Sequence, residues 1–246
     1  MKRYIITAVF SLFIVAAFAQ TAPATQILNP KPPFWDDVQT IKKFDGMFAA
    51  PQHPIVFTGS SSIRKWDDVE YTFAEYAALN RGIGGAVTND IIRYLNDLVF
   101  KYQPKQIVIY VGENDLVVKK SKADSALIKR SKADSISMMK TDLDSVYNRT
   151  MKLYQAIRAK MPNVPILYIG MKPSPSREKI MPMELEFNAR VKAFLAADKN
   201  STFVDVYPLM LDNGKLRPEL YVGDKLHMTR LGYAIWEKAV KPYLIK

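Results

Sequence analysis

Short apolar runs alternate with longer amphipathic stretches along this chain, and that alternation limits the possible folds more than any other feature. The apolar runs are residues 55–57, 77–79, 107–111, 166–169 and 203–206. Patterns typical of helices lie between or after them, at residues 90–102, roughly 135–160, 182–197 and 229–243. Near-continuous apolar strands that alternate with helices are typical of a parallel sheet covered on both faces. The sequence therefore predicts one α/β domain, a three-layer α/β/α sandwich with a five-stranded parallel sheet.

The first residues have the pattern of a secretory signal. Lys2 and Arg3 precede an apolar run over residues 4–15, and Ala17-Phe18-Ala19 follows with small residues at the positions that signal peptidase prefers. We predict a signal peptide over 1–19 cut after Ala19, an extended leader over 20–34, and the folded domain over 35–246. The alternative is an N-terminal membrane anchor, which the short run disfavours because a spanning helix needs ~20 apolar residues. We therefore expect a secreted or periplasmic protein without stable membrane insertion.

Composition excludes several kinds of site. The chain has no cysteine and only two histidines, so disulfides, thiolate metal sites, cysteine nucleophiles and zinc sites with several histidines are excluded. We expect neither a metal nor a cofactor. The net charge of +11 suggests an acidic partner. Because the cations are scattered and no nucleic-acid motif occurs, we expect no nucleic-acid partner, although a non-catalytic basic binding protein remains an alternative.

A near-repeat that contains lysines lies over residues 121–135. The sequence Ser-Lys-Ala-Asp-Ser occurs there twice, ten residues apart. We interpret it as a small duplication in an exposed loop or helix start, whose lysines are solvated or contact an acidic ligand.

Chemically useful side chains follow the predicted strands. In an open parallel sheet, ligands bind beyond the carboxyl ends of the strands. The loops found there supply a hydroxyl group, flexible backbone amides and a side-chain amide, and an acid with an imidazole precedes the last helix. These groups lie in residues 58–62, 80–85, 112–115 and 224–227. Together they are the parts of an acyl-transfer site.

These four blocks, in this order, resemble the SGNH/GDSL hydrolase family, particularly its branch of platelet-activating-factor acetylhydrolase catalytic subunits. The resemblance implies a flavodoxin-like SGNH hydrolase fold and assigns Ser61 as the nucleophile. It also implies oxyanion donors at Gly85 and Asn114, and an Asp-x-x-His pair at Asp224 and His227. Two positions depart from the family pattern. Ser60 replaces the usual aspartate after Gly59, and Ala86 follows Gly85 where an aspartate is frequent.

The chemistry of the residues favours the same assignments. A serine hydroxyl needs a base, and His227 has an acid three residues before it, whereas His53 directly precedes Pro54 and the first strand. The amides of Ser61 and Gly85 and the side chain of Asn114 can hold an oxyanion. Each block alone also has a structural interpretation, since serine, asparagine and aspartate cap helices and glycines form turns.

The substrate is less constrained by the sequence. We expect a secreted serine esterase that removes a short acyl group, most simply acetyl, from a carbohydrate or other polar carrier through an acyl-enzyme on Ser61. An O-acyltransferase that uses the same acyl-enzyme is the alternative. Lys172 and Arg177 are candidate contacts to an anionic carrier or simply surface cations. Arg64, with Trp35 and Trp66, is a candidate for a sugar subsite, although buried packing explains the tryptophans equally well. The acyl carrier and the oligomeric state stay open.

Overall fold

Five parallel strands form the central sheet, in the order β2-β1-β3-β4-β5. They are β1 Ile55–Gly59, β2 Ala78–Gly82, β3 Gln106–Tyr110, β4 Ile166–Ile169 and β5 Ser201–Val204. The computed structural model describes residues 31–117 and 132–246, and residues 33–246 form one structural unit. The predicted five-stranded parallel sheet is confirmed, and its strand order is that of the flavodoxin-like folds.

Helices cover both faces of the sheet. The described helices are α1 Trp35–Met47, α2 Ser61–Arg64, α3 Val69–Thr72, α4 Thr88–Arg93, α5 Leu95–Leu98, α6 Glu113–Leu116, α7 Lys132–Lys160, α8 Met181–Leu195 and α9 Arg230–Val240. A small antiparallel pair, β6 Leu211–Asp212 and β7 Lys215–Leu216, precedes α9. None of the helices in the described ranges is both long and apolar enough to cross a bilayer.

Alternate residues of the strands bury into two separate cores. Val56 and Ile107 face one core with residues of α1, α4, α5, α7 and α8. Phe57, Val108 and Tyr110 face the other core with residues of α2, α3 and α9. Every residue of β1 and β3 is buried, as expected for central strands that are packed on both faces.

The register places the strand ends at one edge. Gly59 at the end of β1 is level with Gly82 of β2 and Tyr110 of β3. The loops that follow these strands therefore emerge side by side. This edge carries the candidate site.

One predicted helix differs from the structure. The pattern over 90–102 predicts a continuous helix, but α4 and α5 are separated at Tyr94, and a 3-10 turn over Phe100–Tyr102 follows. Nine of its thirteen residues are aspartate, isoleucine, tyrosine, asparagine, valine or phenylalanine, which are only moderate helix formers. Its backbone therefore follows tertiary packing, including a hydrogen bond from the Tyr94 hydroxyl to the carbonyl oxygen of Pro33 at 2.8 Å.

Some sequence predictions concern residues that the structure does not describe. The signal peptide over 1–19 and most of the leader over 20–34 lie outside the described residues. The near-repeat over 121–135 also lies outside them, apart from the helical backbone at its end. The predicted start of the folded domain, residue 35, coincides with the first residue of α1.

Candidate active site

Ser61 is presented by a tight turn between β1 and α2. The backbone of Gly59 has φ of 138°, and a Cβ atom there would lie 1.9 Å from the carbonyl oxygen of Tyr110. Only glycine is compatible with both conditions. The N–H of Ser60 then donates to the same Tyr110 oxygen at 2.9 Å. This contact with β3 fixes the turn and leaves Ser61 as the first residue of α2 at the carboxyl edge of the sheet.

A hydrogen-bonded chain joins Ser61 to His227 and Asp224. The Oγ atom of Ser61 lies 2.9 Å from Nε2 of His227, and Nδ1 of His227 lies 2.5 Å from Oδ2 of Asp224. The other carboxylate oxygen of Asp224 accepts the backbone N–H groups of Leu226 and His227, each at 2.9 Å. The carboxylate therefore organises its own turn as well as the imidazole ring.

The charge of Asp224 favours one position for the imidazole proton in this hydrogen-bonded chain of side chains. Burial acts to raise the pKa of the Asp224 carboxyl, but hydrogen bonds from the His227 side chain and from the backbone of His227 and Leu226 outweigh it. The pKa is consequently held well below its ordinary value. An ionised Asp224 accepts a hydrogen bond from the N–H at Nδ1, so Nε2 of a neutral His227 can accept the proton of the Ser61 hydroxyl.

Two side chains from other elements hold α2 in place. Nδ2 of Asn80 donates to the carbonyl oxygen of Ile63 at 2.8 Å, and Oδ1 of Asn80 accepts the N–H of Gly82 at 3.0 Å. The hydroxyl of Tyr233 in α9 donates to the carbonyl oxygen of Ser62 at 2.9 Å. Sequence reasoning gave neither residue this role, although Asn80 opens one of the four blocks.

The two predicted oxyanion donors besides Ser61 lie on neighbouring loops. Gly85 has φ of 81° in the turn after β2, and Asn114 belongs to α6 after β3. Nδ2 of Asn114 donates to the carbonyl oxygen of Ala86 at 3.0 Å, which joins the two loops. Gly85 and Asn114 also line the same cleft of about 620 Å³.

Asp115 has a structural role that the sequence did not reveal. One of its oxygens accepts the N–H and the hydroxyl of Thr88 at 2.9 and 3.0 Å, and the other accepts Nε of Arg149 at 2.8 Å. The carboxylate is almost completely buried. It therefore joins the start of α4 to α6 and α7, directly beside Asn114.

The prediction that Lys172 contacts substrate is wrong. Its side chain is completely buried, and Nζ lies 3.1 and 3.3 Å from the two carboxylate oxygens of Glu113. The hydroxyl of Tyr110 donates to the same carboxylate. A buried ammonium needs such an opposite charge, so Lys172 serves as an internal partner of Glu113.

The other residues predicted to contact substrate have different positions. Arg177 lines the cleft, but its guanidinium is hydrogen-bonded to protein atoms. Arg64 is exposed on a separate groove beside α1 and β2. Trp66 is completely buried among aromatic rings and belongs to the core, whereas Trp35 is 39% exposed. His53 is exposed before β1, with Nδ1 3.0 Å from the carbonyl oxygen of Gln103.

Comparison with known proteins agrees with this geometry. Residues 56–235 match the model of the GDSL-like lipase/acylhydrolase family. The human platelet-activating factor acetylhydrolase IB subunit alpha1 is 24% identical over 201 residues, which cover 78% of this chain and 75% of the relative.

Two solved structures share the fold. A GDSL-like lipase from Bacteroides thetaiotaomicron has a TM-score of 0.63 at 21% identity, over 85% of this chain and 97% of that one. An acetylxylan esterase from Geobacillus stearothermophilus, solved as a catalytic mutant, has a TM-score of 0.55 at 15% identity, over 79% and 95% of the two chains.

Proposed function

Because this chain belongs to the GDSL-like lipase/acylhydrolase family, we propose that Ser61, His227 and Asp224 are the catalytic residues of an esterase that removes short acyl groups. The observation that carries the proposal is the hydrogen-bonded chain from Ser61 Oγ through the imidazole to Asp224. Family membership also makes a non-catalytic basic binding protein the weaker interpretation of the positive charge.

The reaction begins with proton transfer from Ser61 to His227. Nε2 of His227 takes the hydroxyl proton as Oγ attacks the ester carbonyl carbon, and Asp224 stabilises the resulting imidazolium. The imidazolium then gives the proton to the leaving alcohol as the ester C–O bond breaks. Water attacks the acyl-enzyme with the same help, which releases the carboxylic acid and restores Ser61.

The negative charge that develops on the carbonyl oxygen needs donors that are already in place. The backbone amide of Ser61 begins a helix and so has no partner within that helix. Gly85 supplies a second backbone amide, and Asn114 supplies its side-chain amide. Loss of one such donor commonly lowers kcat about 10²–10³-fold.

The substrate that we favour is an acetyl ester on a carbohydrate or other polar carrier. The human relative and the Geobacillus neighbour are both named for acetyl esters, although their carriers differ. The cleft beside the oxyanion donors is lined by polar side chains, including Asn89 and Arg149, as well as by the apolar side chains of Phe34, Val87 and Val117. The polar side chains can donate hydrogen bonds to the hydroxyl groups of a hydrated carrier.

The proposed location is outside the cytoplasm. Its support is the charged, apolar and small-residue pattern over residues 1–19. Mass spectrometry of the protein exported by a host cell would test it. A mature chain that begins at residue 20 is expected, and retention of residues 1–19 would contradict the proposal.

The nucleophile is tested by Ser61→Ala. We expect turnover of 4-nitrophenyl acetate to fall at least about 10³-fold, because the base then has no hydroxyl to activate. Ser60→Ala is the matched control, since Ser60 is the neighbouring serine and does not join the hydrogen-bonded chain. Near wild-type turnover by Ser61→Ala would refute the assignment.

The substrate class is tested by an acyl-length series with a panel of acetylated sugars. We expect kcat/KM to fall steeply from acetyl to octanoyl esters and acetate to be released from at least one acetylated glycan. Equal or higher kcat/KM on octanoyl esters would contradict the short-acyl proposal. Adding free sugar acceptors separates hydrolysis from transfer, because a transferase would form acetylated acceptor instead of acetate.

A further inference from the structure

Arg177 contacts both residues at the start of α6. Its Nη1 donates to the carbonyl oxygen of Glu113 at 3.2 Å, and its Nη2 donates to Oδ1 of Asn114 at 3.0 Å. Its Nε lies 3.8 Å from a carboxylate oxygen of Glu113. One guanidinium therefore holds the backbone before Asn114 and the side chain of Asn114 together.

These partners determine which way the Asn114 amide points. A guanidinium can only donate hydrogen bonds, so the atom of Asn114 that faces Arg177 must be the oxygen. A backbone carbonyl can only accept, so the atom that faces Ala86 must be the nitrogen. Two independent partners thus assign the same orientation. The second hydrogen on Nδ2 is then available to a negatively charged oxygen in the cleft.

Arg177 is itself held firmly. The Glu113 carboxylate that attracts it is also bound by the buried ammonium of Lys172 and by the hydroxyl of Tyr110. The side chain of Arg177 is only 13% exposed. In addition, the N–H of Ser176 donates to the carbonyl oxygen of Lys225 at 3.0 Å, in the turn that carries His227. The segment around Arg177 therefore contacts both the turn that carries His227 and the start of α6, which carries Asn114.

We propose that Arg177 is a positioning residue that orients the side-chain amide of Asn114 as an oxyanion donor. The inference rests on the proposed function, because it requires Asn114 to act on an acyl-transfer oxyanion. It replaces the expectation that Arg177 binds an anionic carrier. Its Nη1 and Nη2 atoms are directed at Glu113 and Asn114. Because the guanidinium is planar and rigid, these two hydrogen bonds together can fix the orientation of the Asn114 amide.

The test measures kcat and KM separately on 4-nitrophenyl acetate, a neutral ester. We expect Arg177→Ala to lower kcat at least about tenfold with KM changed less than about threefold, since a transition-state interaction is lost. Arg177→Lys should fall between wild type and Arg177→Ala, because an ammonium is a point donor without the fork. Arg190→Ala is the matched control, since Arg190 pairs with Asp144 outside the site and should keep wild-type kcat.

A double-mutant cycle with Asn114→Ala separates positioning from general stability. If Arg177 acts through Asn114, adding Arg177→Ala to Asn114→Ala should lower kcat less than about twofold further. Fully additive losses would overturn the proposal, as would unchanged kcat in Arg177→Ala. An effect confined to the KM of anionic esters would overturn it in favour of carrier binding.

Thermal unfolding shows whether each variant is folded, and Arg177→Lys replaces Arg177→Ala in the cycle if the alanine variant is not. The activities of the wild type and of Ser61→Ala distinguish a failure of the proposed function from a failure of the positioning role. An inactive wild type, or an active Ser61→Ala, would overturn the proposed function and the positioning role with it. An active wild type with an inactive Ser61→Ala leaves the proposed function standing, and the cycle then decides the role of Arg177.

Discussion

The two histidines of this chain lie at opposite ends of the first strand. His53 precedes β1 in an exposed segment, with φ of 45° and a contact from Nδ1 to the carbonyl oxygen of Gln103. His227 lies beyond the carboxyl end of the sheet, where its two ring nitrogens contact Ser61 and Asp224. At the residue scale, the imidazole that we propose as the catalytic base therefore differs from that of His53 in the partners of its ring nitrogens.

This difference gives a prediction for the two alanine variants. His227→Ala should lower kcat/KM on 4-nitrophenyl acetate by about 10²–10⁴-fold, because the serine loses its general base. His53→Ala should stay within about twofold of wild type and serves as the control. Steady-state kinetics of both variants are the measurement. An inactive His53→Ala beside an active His227→Ala would refute the Asp-x-x-His assignment.

At the scale of elements, α2 is notable because it carries the proposed nucleophile and is only four residues long. A helix of that length has no stability of its own, since the first turn costs more conformational entropy than its hydrogen bonds return. Its position depends on the tethers from Asn80 and Tyr233 to the carbonyl oxygens of Ile63 and Ser62. The helix that carries the proposed nucleophile is thus held by residues from β2 and α9.

Removing the Asn80 tether should affect both stability and turnover. Asn80→Ala leaves the buried N–H of Gly82 without its side-chain acceptor, and a loss of this kind costs about 1–3 kcal/mol of unfolding free energy. We also expect kcat to fall, because α2 is then free to shift. Urea unfolding and kinetics check both expectations. Asn89→Ala, at an exposed position of α4, is the stability control, and equal unfolding free energies for the two variants would contradict the tether.

At the scale of the whole molecule, the packing of α8 against the sheet buries an acid without a partner. Glu184 is completely buried, and neither carboxylate oxygen has a hydrogen-bond partner among the described residues. Burial and the nearby Glu113 carboxylate raise the pKa of Glu184 to about 8, although Lys172 and Arg177 oppose the shift. The folded protein therefore keeps a proton on Glu184 at neutral pH.

The raised pKa makes stability depend on pH. Between the ordinary value of 4.5 and about 8, the unfolded chain loses this proton while the folded protein retains it. The free energy of unfolding should consequently fall as pH rises through this window, since the folded state binds more protons. Glu184→Gln, which mimics the protonated form, should flatten this dependence. The free energy of unfolding of the variant, relative to that of the wild type, should therefore be at least about 1 kcal/mol higher at pH 8 than at pH 5.

Urea unfolding at pH 5, 6.5 and 8 is the measurement for Glu184→Gln. Glu186→Gln is the matched control, because it removes a carboxylate from an exposed position of the same helix. The control should retain the wild-type dependence on pH. A Glu184→Gln variant with the same pH dependence as wild type would show that Glu184 is ionised in the folded protein.

The sequence alone was sufficient for the features that are written locally along the chain. Apolar runs and amphipathic stretches reflect burial within a few neighbouring residues, and they predicted the five parallel strands. The four motif blocks predicted that Ser61 and Asn114 follow strands and that His227 precedes the last helix. The continuous helix over 90–102 was nevertheless predicted wrongly, because tertiary contacts determine the backbone conformation of moderate helix formers.

Other features depended on residues that lie far apart in the chain. Lys172 was a candidate contact to an anionic carrier or a surface cation, but the fold brings it against Glu113, 59 residues away, where both side chains are buried. Arg177 had the same two interpretations, but its partner Asn114 lies 63 residues away. Burial and ion pairing depend on which segments pack together, and no local window of sequence contains that information. Only the fold therefore determined that Lys172 and Arg177 bind other groups of the protein.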